Sequence, residues 1–242
     1  MLAFAKIRIT ILKALSLLGF GKDCVEYQSC DDNGSIRIDS IPDLEGPTLI
    51  LTQAGNVNSR ACDPIGEIKE RISSYDAWVH IDGAFGLWAA VSSKTCHLFA
   101  GFQFINSWVT DGHKWLNTPY DCGIAICRSP HHINATIAIQ APYLKAGERA
   151  APKDMVPEFS RSARGIEVWA GKVLRLLLDT CCHHAREVVR GLERLGFEIP
   201  NDVVLNQVVA TIPGREDHME KLTRRVQHTD EAWFGPTHWQ NP

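Results

Sequence analysis

The chain has 242 residues, of which 45% are hydrophobic, and this is enough apolar material for one large α/β domain with part of a second. The 25 basic and 28 acidic residues give a net charge of −3, so neither a nucleic-acid partner nor a charged disordered tail is expected. The eight cysteines are scattered without zinc-knuckle spacing, which favours reduced thiols in a cytoplasmic protein.

The N-terminal segment predicts an amphipathic helix rather than a signal peptide or a membrane span. Lys6, Arg8 and Lys13 interrupt its apolar run, and no run in the chain reaches the length of a transmembrane helix. We therefore expect no membrane partner. Apolar residues recur there at helical spacing: Ile7, Ile11, Ala14, Leu15 and Leu18.

Four short apolar runs predict the strands of one sheet. They span residues 47–53, 77–82, 107–111 and 123–128. A helix is predicted between the first two runs, with Asp63 as its N-cap and Pro64 at its first position. A short helix or a loop is predicted over 85–106. Alternation of strand and helix is typical of a mostly parallel sheet covered by helices, an α/β fold.

The second half of the chain has a different pattern. Four segments are predicted in order: a loop over 130–161, one long helix or a kinked helix pair over 162–197, a strand over 203–212, and a helix over 215–229. We therefore expect residues 1–160 to belong to a large domain. Residues 161–242 are expected to form a connecting helix and an incomplete smaller domain.

Polar residues follow three of the predicted strands where each strand ends. Ligands of open α/β sheets bind beyond the carboxyl ends of the strands, so these three loops are expected to meet at one rim. The rim would then bring together two asparagines, an aspartate, a histidine and a lysine: Asn56, Asn58, Asp82, His113 and Lys114.

This set of side chains is suited to pyridoxal phosphate. The cofactor aldehyde needs a lysine amine, for which Lys114 is placed, and the pyridine nitrogen needs a carboxylate partner such as Asp82. The small residues after Asp82 would let a flat ring lie close. His113 would reach a phosphate oxygen or the bound substrate.

Longer segments around these residues resemble a known family. The segments HIDGAFGLWA and TDGHKWLNTPYDCG, with QAGNVNSRACDPIGEI before them and FSRSARGIEVWA after them, resemble the group II pyridoxal-dependent decarboxylases. That family includes the glutamate and aromatic amino acid decarboxylases. The resemblance covers nearly the whole chain and implies a fold-type I large domain, an amino acid substrate, and a homodimer with its sites at the interface.

The resemblance also implies roles for individual residues. Lys114 would form the Schiff base with the cofactor, Asp82 would pair with the pyridine nitrogen, and Ala84 would pack against one ring face. His113 and Asp111 would lie near the phosphate, and Asp111 stands where some members carry asparagine.

Two asparagines and an arginine complete the implied site. Asn56 and Asn58 would line it near the ring substituents, with a role as loop formers as the alternative. Arg164 would have a structural or site-ordering role at the start of the long helix. Arg60 and Cys62 stand where relatives usually have glycine and phenylalanine, so Arg60 is expected to crowd the site.

The resemblance implies further segments and a proton donor. Members are longer, and a preceding segment supplies a phosphate-binding turn and a histidine that stacks on the ring. We therefore expect this chain to begin within the large domain and to stop within the small one. Relatives carry a tyrosine that returns a proton to the substrate; Tyr143 is the candidate here, and Met155 lies near the expected place.

The predicted function is decarboxylation of an amino acid. Two alternatives stay open: another pyridoxal-dependent reaction such as transamination, and an inactive fragment that binds a partner chain. The cluster Cys181 to His184 does not predict a metal site, because successive helical side chains point about 100° apart and metal pairs need i, i+3 or i, i+4 spacing. No metal is expected.

Overall fold

The computed structural model describes residues 2–4, 9–21, 23–139, 151–170 and 174–239, and its centre is a six-stranded sheet. The strands are β1 (Leu2–Phe4), β2 (Glu26–Gln28), β3 (Thr48–Gln53), β4 (Ala77–Asp82), β5 (Ser107–Asp111) and β6 (Gly123–Cys127). Their order is β2-β1-β3-β4-β5-β6, and every pair is parallel except β5 with β6. The predicted mostly parallel α/β sheet is therefore confirmed.

Helices and short 3-10 turns connect the strands. The helices are α1 (Ile9–Leu17), α2 (Ile65–Arg71), α3 (Pro130–Ile137), α4 (Gly165–Ala170), α5 (Leu174–Arg194) and α6 (Met219–Gln227). Helices α4 and α5 lie in the span predicted as one long helix or a kinked helix pair. Three 3-10 turns span Leu87–Phe104 between β4 and β5. Within the described residues, no helix is long and apolar enough to cross a bilayer.

Both faces of the sheet are covered by apolar side chains. Ile50 of β3 and Val79 of β4 are in register and point to the same face of the sheet, where they join the main core with Ile68 of α2. On the other face, Leu51 packs against Leu15 of α1. Burial on both faces explains why these strands are continuous apolar runs rather than alternating ones.

Two sequence predictions about helices and loops were wrong in part. Leu2–Phe4 is a strand and not the start of a helix, because its backbone pairs with β2 on one side and β3 on the other. Helix α3 occupies the start of the predicted loop over 130–161, with proline at its first position. Ile7 lies outside the described residues.

The predicted strand over 203–212 is also absent from the part of the chain that the structure describes. One bridge joins Glu198 to Thr211, and the segment between them is irregular. The Asn201 side chain explains this, since it donates to the Gln207 carbonyl at 3.3 Å and accepts from the Val209 amide at 2.8 Å. The backbone is satisfied locally, so it does not need a neighbouring strand.

Asp63 does not cap α2, although the sequence predicted that it would. The N-cap is Pro64, and no side chain bonds to the helix start. The Asp63 carboxylate instead accepts from the amides of Ile36 at 2.9 Å and Gln53 at 2.6 Å. It is buried, and it ties the segment before β3 to the end of that strand. Burial raises the pKa of Asp63 to about 6.

This buried carboxyl predicts a pH-dependent stability. The pKa of Asp63 is about 6 in the folded chain and 3.8 ordinarily. The stabilisation of the folded state by the protonated carboxyl is therefore fully present below about pH 4 and is lost as pH rises through 6. The loss is about 3 kcal/mol in the free energy of unfolding. Denaturant unfolding between pH 4 and 7 should show a flatter profile for Asp63→Asn than for the exposed control Asp76→Asn. Equal slopes would contradict the assignment.

Candidate active site

The three predicted loops meet at the carboxyl end of neighbouring parallel strands. Asp82, the last residue of β4, is in register with Gln53 of β3 and Val109 of β5. It is buried, and its Oδ1 accepts from the amide of Ala84 at 3.0 Å. The loop after β4 is joined to β5 because the Gly83 amide donates to the Val109 carbonyl at 2.8 Å. The rim therefore has a fixed backbone.

Glycines allow the loops after β3 and β4 to touch. Gly55 has a φ of 90°, which favours glycine, and a Cβ on Gly86 would lie 2.5 Å from the Ala54 carbonyl oxygen. Next to them, Ala84 is 4% exposed and presents only a methyl group. Small residues therefore let the two loops pack closely at this part of the rim.

Lys114 lies on the turn after β5 and faces the loop after β4. Its Nζ forms an ion pair with Asp111 and lies 4.1 Å from the centroid of the Phe85 ring. The side chain is 22% exposed, so the amine is accessible at the rim. The neighbouring Trp115 is buried in the core and donates from its Nε1 to the Phe85 carbonyl at 2.6 Å. Phe85 thus holds the lysine-bearing turn against the Asp82 loop.

His113 is held by the loop that follows Lys114. Its ring stacks on Tyr120 with centroids 4.0 Å apart, and its Nδ1 lies 3.5 Å from the Cys122 amide. Arg164 forms a salt bridge to Asp121 at 2.7 Å. A hydrogen bond from its own backbone and the Arg164 guanidinium lower the pKa of Asp121. Arg164 therefore fixes the loop that supports His113.

Asn56 and Asn58 take part in the structure of their own loop. The Asn56 side chain is buried, and its Oδ1 accepts from the Asn58 amide at 2.9 Å. The Asn58 Oδ1 accepts from the Thr237 hydroxyl at 2.9 Å. These hydrogen bonds lie within the loop after β3 and between that loop and Thr237. Their contact with a cofactor stays a prediction.

Arg60 reaches the same aromatic ring as Lys114. It has a φ of 62°, a left-handed conformation that explains why glycine suits this position. Its guanidinium lies 4.0 Å from the Phe85 centroid and donates to the Val57 carbonyl at 2.8 Å. Arg60 and Lys114 therefore both lie about 4 Å from the Phe85 ring, next to the predicted site. Burial raises the pKa of the nearby Cys62 thiol to about 12, so this thiol is not a nucleophile.

Two residues of the site were missed by sequence reasoning. Phe85 has no titratable group, and its only signal was an aromatic residue three positions after Asp82. Tyr120 is 78% exposed and has a site role only through its stacking on His113. The proposed proton donor Tyr143 lies outside the described residues. Met155 is the C-cap of the 3-10 turn Pro152–Asp154.

The residues present suit two groups of pyridoxal, its pyridine nitrogen and its aldehyde. A buried carboxylate, Asp82, is the group that a protonated pyridine nitrogen requires, and Lys114 offers a primary amine to an aldehyde. Ala84 is small enough for a flat ring to lie against it. No group of three or more side chains that could hold a metal ion occurs in the described ranges.

Comparison with known proteins gives a matching family model and several relatives. The model of the pyridoxal-dependent decarboxylase conserved domain matches residues 42–211. The chain is 27% identical over 216 residues to tryptophan decarboxylase 1 of Oryza sativa subsp. japonica, covering 79% of this chain and 42% of that protein. It is 26% identical over 228 residues to 4-hydroxyphenylacetaldehyde synthase of Rhodiola rosea, covering 86% and 46%. The chain thus spans less than half the length of these curated relatives.

A solved structure shares the fold. The crystal structure of Oryza sativa TDC with PLP and tryptamine superimposes with a TM-score of 0.87 at 22% identity. The match covers 99% of this chain and 56% of that chain. The fold-type I architecture is therefore shared across the described part of the chain.

Proposed function

The chain belongs to the pyridoxal-dependent decarboxylase family, and on that premise we propose that it binds pyridoxal 5'-phosphate and decarboxylates an amino acid. One observation carries the proposal. Phe85 lies in the loop that follows the buried Asp82, and the amine of Lys114 lies 4.1 Å from the centroid of its ring. An amine and a carboxylate on neighbouring parallel strands are the two groups that this cofactor requires.

Each residue has a defined task in this reaction. When bound, the cofactor supplies a ring that accepts the electron pair released as the carboxylate leaves Cα. Asp82 would hold the proton on the pyridine nitrogen, and Lys114 would present its amine to the aldehyde. The ion pair with Asp111 holds Nζ at the rim. Phe85 covers one side of that amine and limits its contact with water.

The net change is simple in atoms and charge. The bond between Cα and the carboxylate carbon breaks, carbon dioxide leaves, and one proton is added at Cα to give the amine. We propose that a group outside the described residues delivers that proton, with Tyr143 as the candidate. His113 is fixed by Tyr120 at the rim and is suited to contact the substrate or the phosphate.

The organisation of the protein is also a proposal. We propose a large domain over 1–160, a connecting helix with part of a small domain over 161–242, and a homodimer with the site near the interface. A reducing compartment such as the cytoplasm is supported by the eight free cysteines.

Product analysis tests this function. The purified chain with pyridoxal 5'-phosphate is incubated with a panel of amino acids, and carbon dioxide, amine, keto acid and aldehyde are measured. Equal yields of carbon dioxide and amine are expected. A keto acid would favour transamination instead. An aldehyde would indicate chemistry like that named for the Rhodiola rosea relative. No product despite bound cofactor would favour an inactive chain that binds a partner.

A further inference from the structure

The ring of Phe85 lies against two cations in the candidate site. The guanidinium carbon of Arg60 is 4.0 Å from its centroid, and Nζ of Lys114 is 4.1 Å from the same point. Because both distances end on one centroid, the two charged groups are no more than about 8 Å apart, close to the screening length of physiological salt. A cation over an aromatic face is attracted to it. Phe85 therefore connects Arg60 with Lys114.

The Arg60 side chain is fixed by its own loop. It is buried, and its Nη1 donates to the carbonyls of Val57 at 2.8 Å and Asn56 at 3.3 Å. Its backbone amide donates to the Asn56 carbonyl at 2.9 Å. From the C-terminal half of the chain, the Asn206 Oδ1 accepts from Nε at 3.4 Å. The guanidinium is thus held by bonds that do not involve Lys114.

The backbone of Arg60 is strained. Its φ of 62° is a left-handed conformation that glycine adopts freely and that a residue with a Cβ adopts at a cost. Such strain persists where surrounding contacts compensate for it, and it is concentrated at functional sites. The contacts of the guanidinium with Val57 and Phe85 are suited to offset the cost. The strained arginine is therefore expected to serve the site.

The Phe85 ring needs a support other than the lysine. In the proposed reaction Nζ of Lys114 alternates between a bound and a released state, so it does not keep one position against the ring. The Phe85 carbonyl accepts from Trp115 Nε1 at 2.6 Å, and this bond fixes the backbone rather than the ring. The guanidinium of Arg60 contacts the ring itself and can hold it in both states.

We propose that Arg60 is a positioning residue for Lys114: its guanidinium fixes the Phe85 ring, and the ring keeps Nζ in place at the rim. The step from Lys114 to the reaction rests on the proposed function. A reacting amine that is held in one orientation reaches its partner more often in the productive geometry. In this role Arg60 acts through Phe85 and does not touch the substrate.

The first experiment uses the cofactor-free chain with ¹³C at the ε position of its lysines. Protons that lie over an aromatic face resonate upfield, so nuclear magnetic resonance should show a displaced signal for the Lys114 methylene next to Nζ. Lys114→Ala identifies this signal by its loss, and Phe85→Leu should remove the displacement. Arg60→Gly should reduce the displacement by about half or more, because the ring loses the cation that holds it.

Control variants separate the guanidinium from the backbone strain. Arg60→Gly is expected to fold, since glycine suits a φ of 62°, and circular dichroism checks this. Arg60→Asn is a second variant, because asparagine also tolerates this conformation. Asp230 has a φ of 58° at an exposed position, so Asp230→Gly relieves similar strain and should leave the Lys114 signal unchanged. A signal that stays fully displaced in Arg60→Gly and Arg60→Asn would overturn the positioning role.

The second experiment uses the chain loaded with pyridoxal 5'-phosphate. Arg60→Gly should lower kcat about tenfold and leave KM for the amino acid nearly unchanged, because Arg60 acts on the lysine and not on the substrate. Arg60→Lys should recover part of the loss, since an ammonium also binds an aromatic face but lacks the planar stacking of a guanidinium. A purely structural role would lower the amount of folded chain and leave kcat per bound cofactor unchanged.

The two experiments separate the inference from the function. A rise in KM with kcat unchanged in Arg60→Gly would show that Arg60 binds the substrate directly, and this would overturn the positioning role. Equal kcat values for Arg60→Gly and the unaltered chain would also overturn it. If the Lys114 signal responds as expected but no visible band develops with cofactor, the link from Arg60 to Lys114 is supported and the proposed function fails.

Discussion

Lys114→Ala is expected to abolish covalent attachment of the cofactor and to lower the release of carbon dioxide on the order of 10³-fold or more. The reason is that Lys114 is the amine placed at the rim, in contact with Asp111 and the Phe85 ring. The measurement is the visible absorbance after addition of pyridoxal 5'-phosphate. Borohydride reduction and peptide mass mapping then identify the modified lysine.

A lysine elsewhere on the surface serves as the control. Lys94 is exposed and pairs with Asp179 at 3.7 Å, away from the rim. Lys94→Ala should therefore leave both the visible band and the rate unchanged. A band that survives Lys114→Ala at full strength would show that another amine binds the cofactor.

Asp82→Asn is expected to slow decarboxylation about 10²-fold while leaving the fold intact. Asparagine has nearly the same shape, and its oxygen can still accept from the Ala84 amide. It cannot carry the negative charge, and removing one partner of a buried charge pair costs about 3 kcal/mol, or about two decades in rate. Single-turnover rates with saturating cofactor measure the effect.

The matched control is Asp23→Asn at an exposed position. It should retain the rate of the unaltered chain. Circular dichroism and the denaturation midpoint should also be the same for Asp82→Asn and the unaltered chain, which separates loss of chemistry from loss of fold. A full rate in Asp82→Asn would exclude a role for this carboxylate at the pyridine nitrogen.

The sheet and the rim were predictable because their signals are local. Strand β4 occupies the predicted span 77–82, and β3 differs from its predicted span by one residue. Both are apolar runs that end in polar residues, so their carboxyl ends could be assigned from the sequence. The relation of Asp82 to Lys114 then follows from parallel neighbours, since adjacent strands bring their ends to one edge.

The features that sequence reasoning missed depend on contacts between distant residues. Asp63 has the pattern of a helix cap, yet it bonds to Ile36, which is 27 positions earlier in the chain. Leu2–Phe4 lacks any strand signal of its own and is a strand because β2 and β3 flank it. Asn201 closes a loop where Val and Ile residues predicted a strand. In each case tertiary pairing outweighs local propensity.

Strands β3 to β6 lie side by side in the same order as in the chain. Each loop of the rim therefore connects two strands that are neighbours both in the sheet and in the chain. Pairing such strands closes only a short stretch of chain, so the loss of chain entropy is small. Assembly of this half does not require β1 or β2, which pair at the opposite edge. We expect the amides of β3 to β5 to become protected from hydrogen exchange early in folding, with β1 and β2 added afterwards.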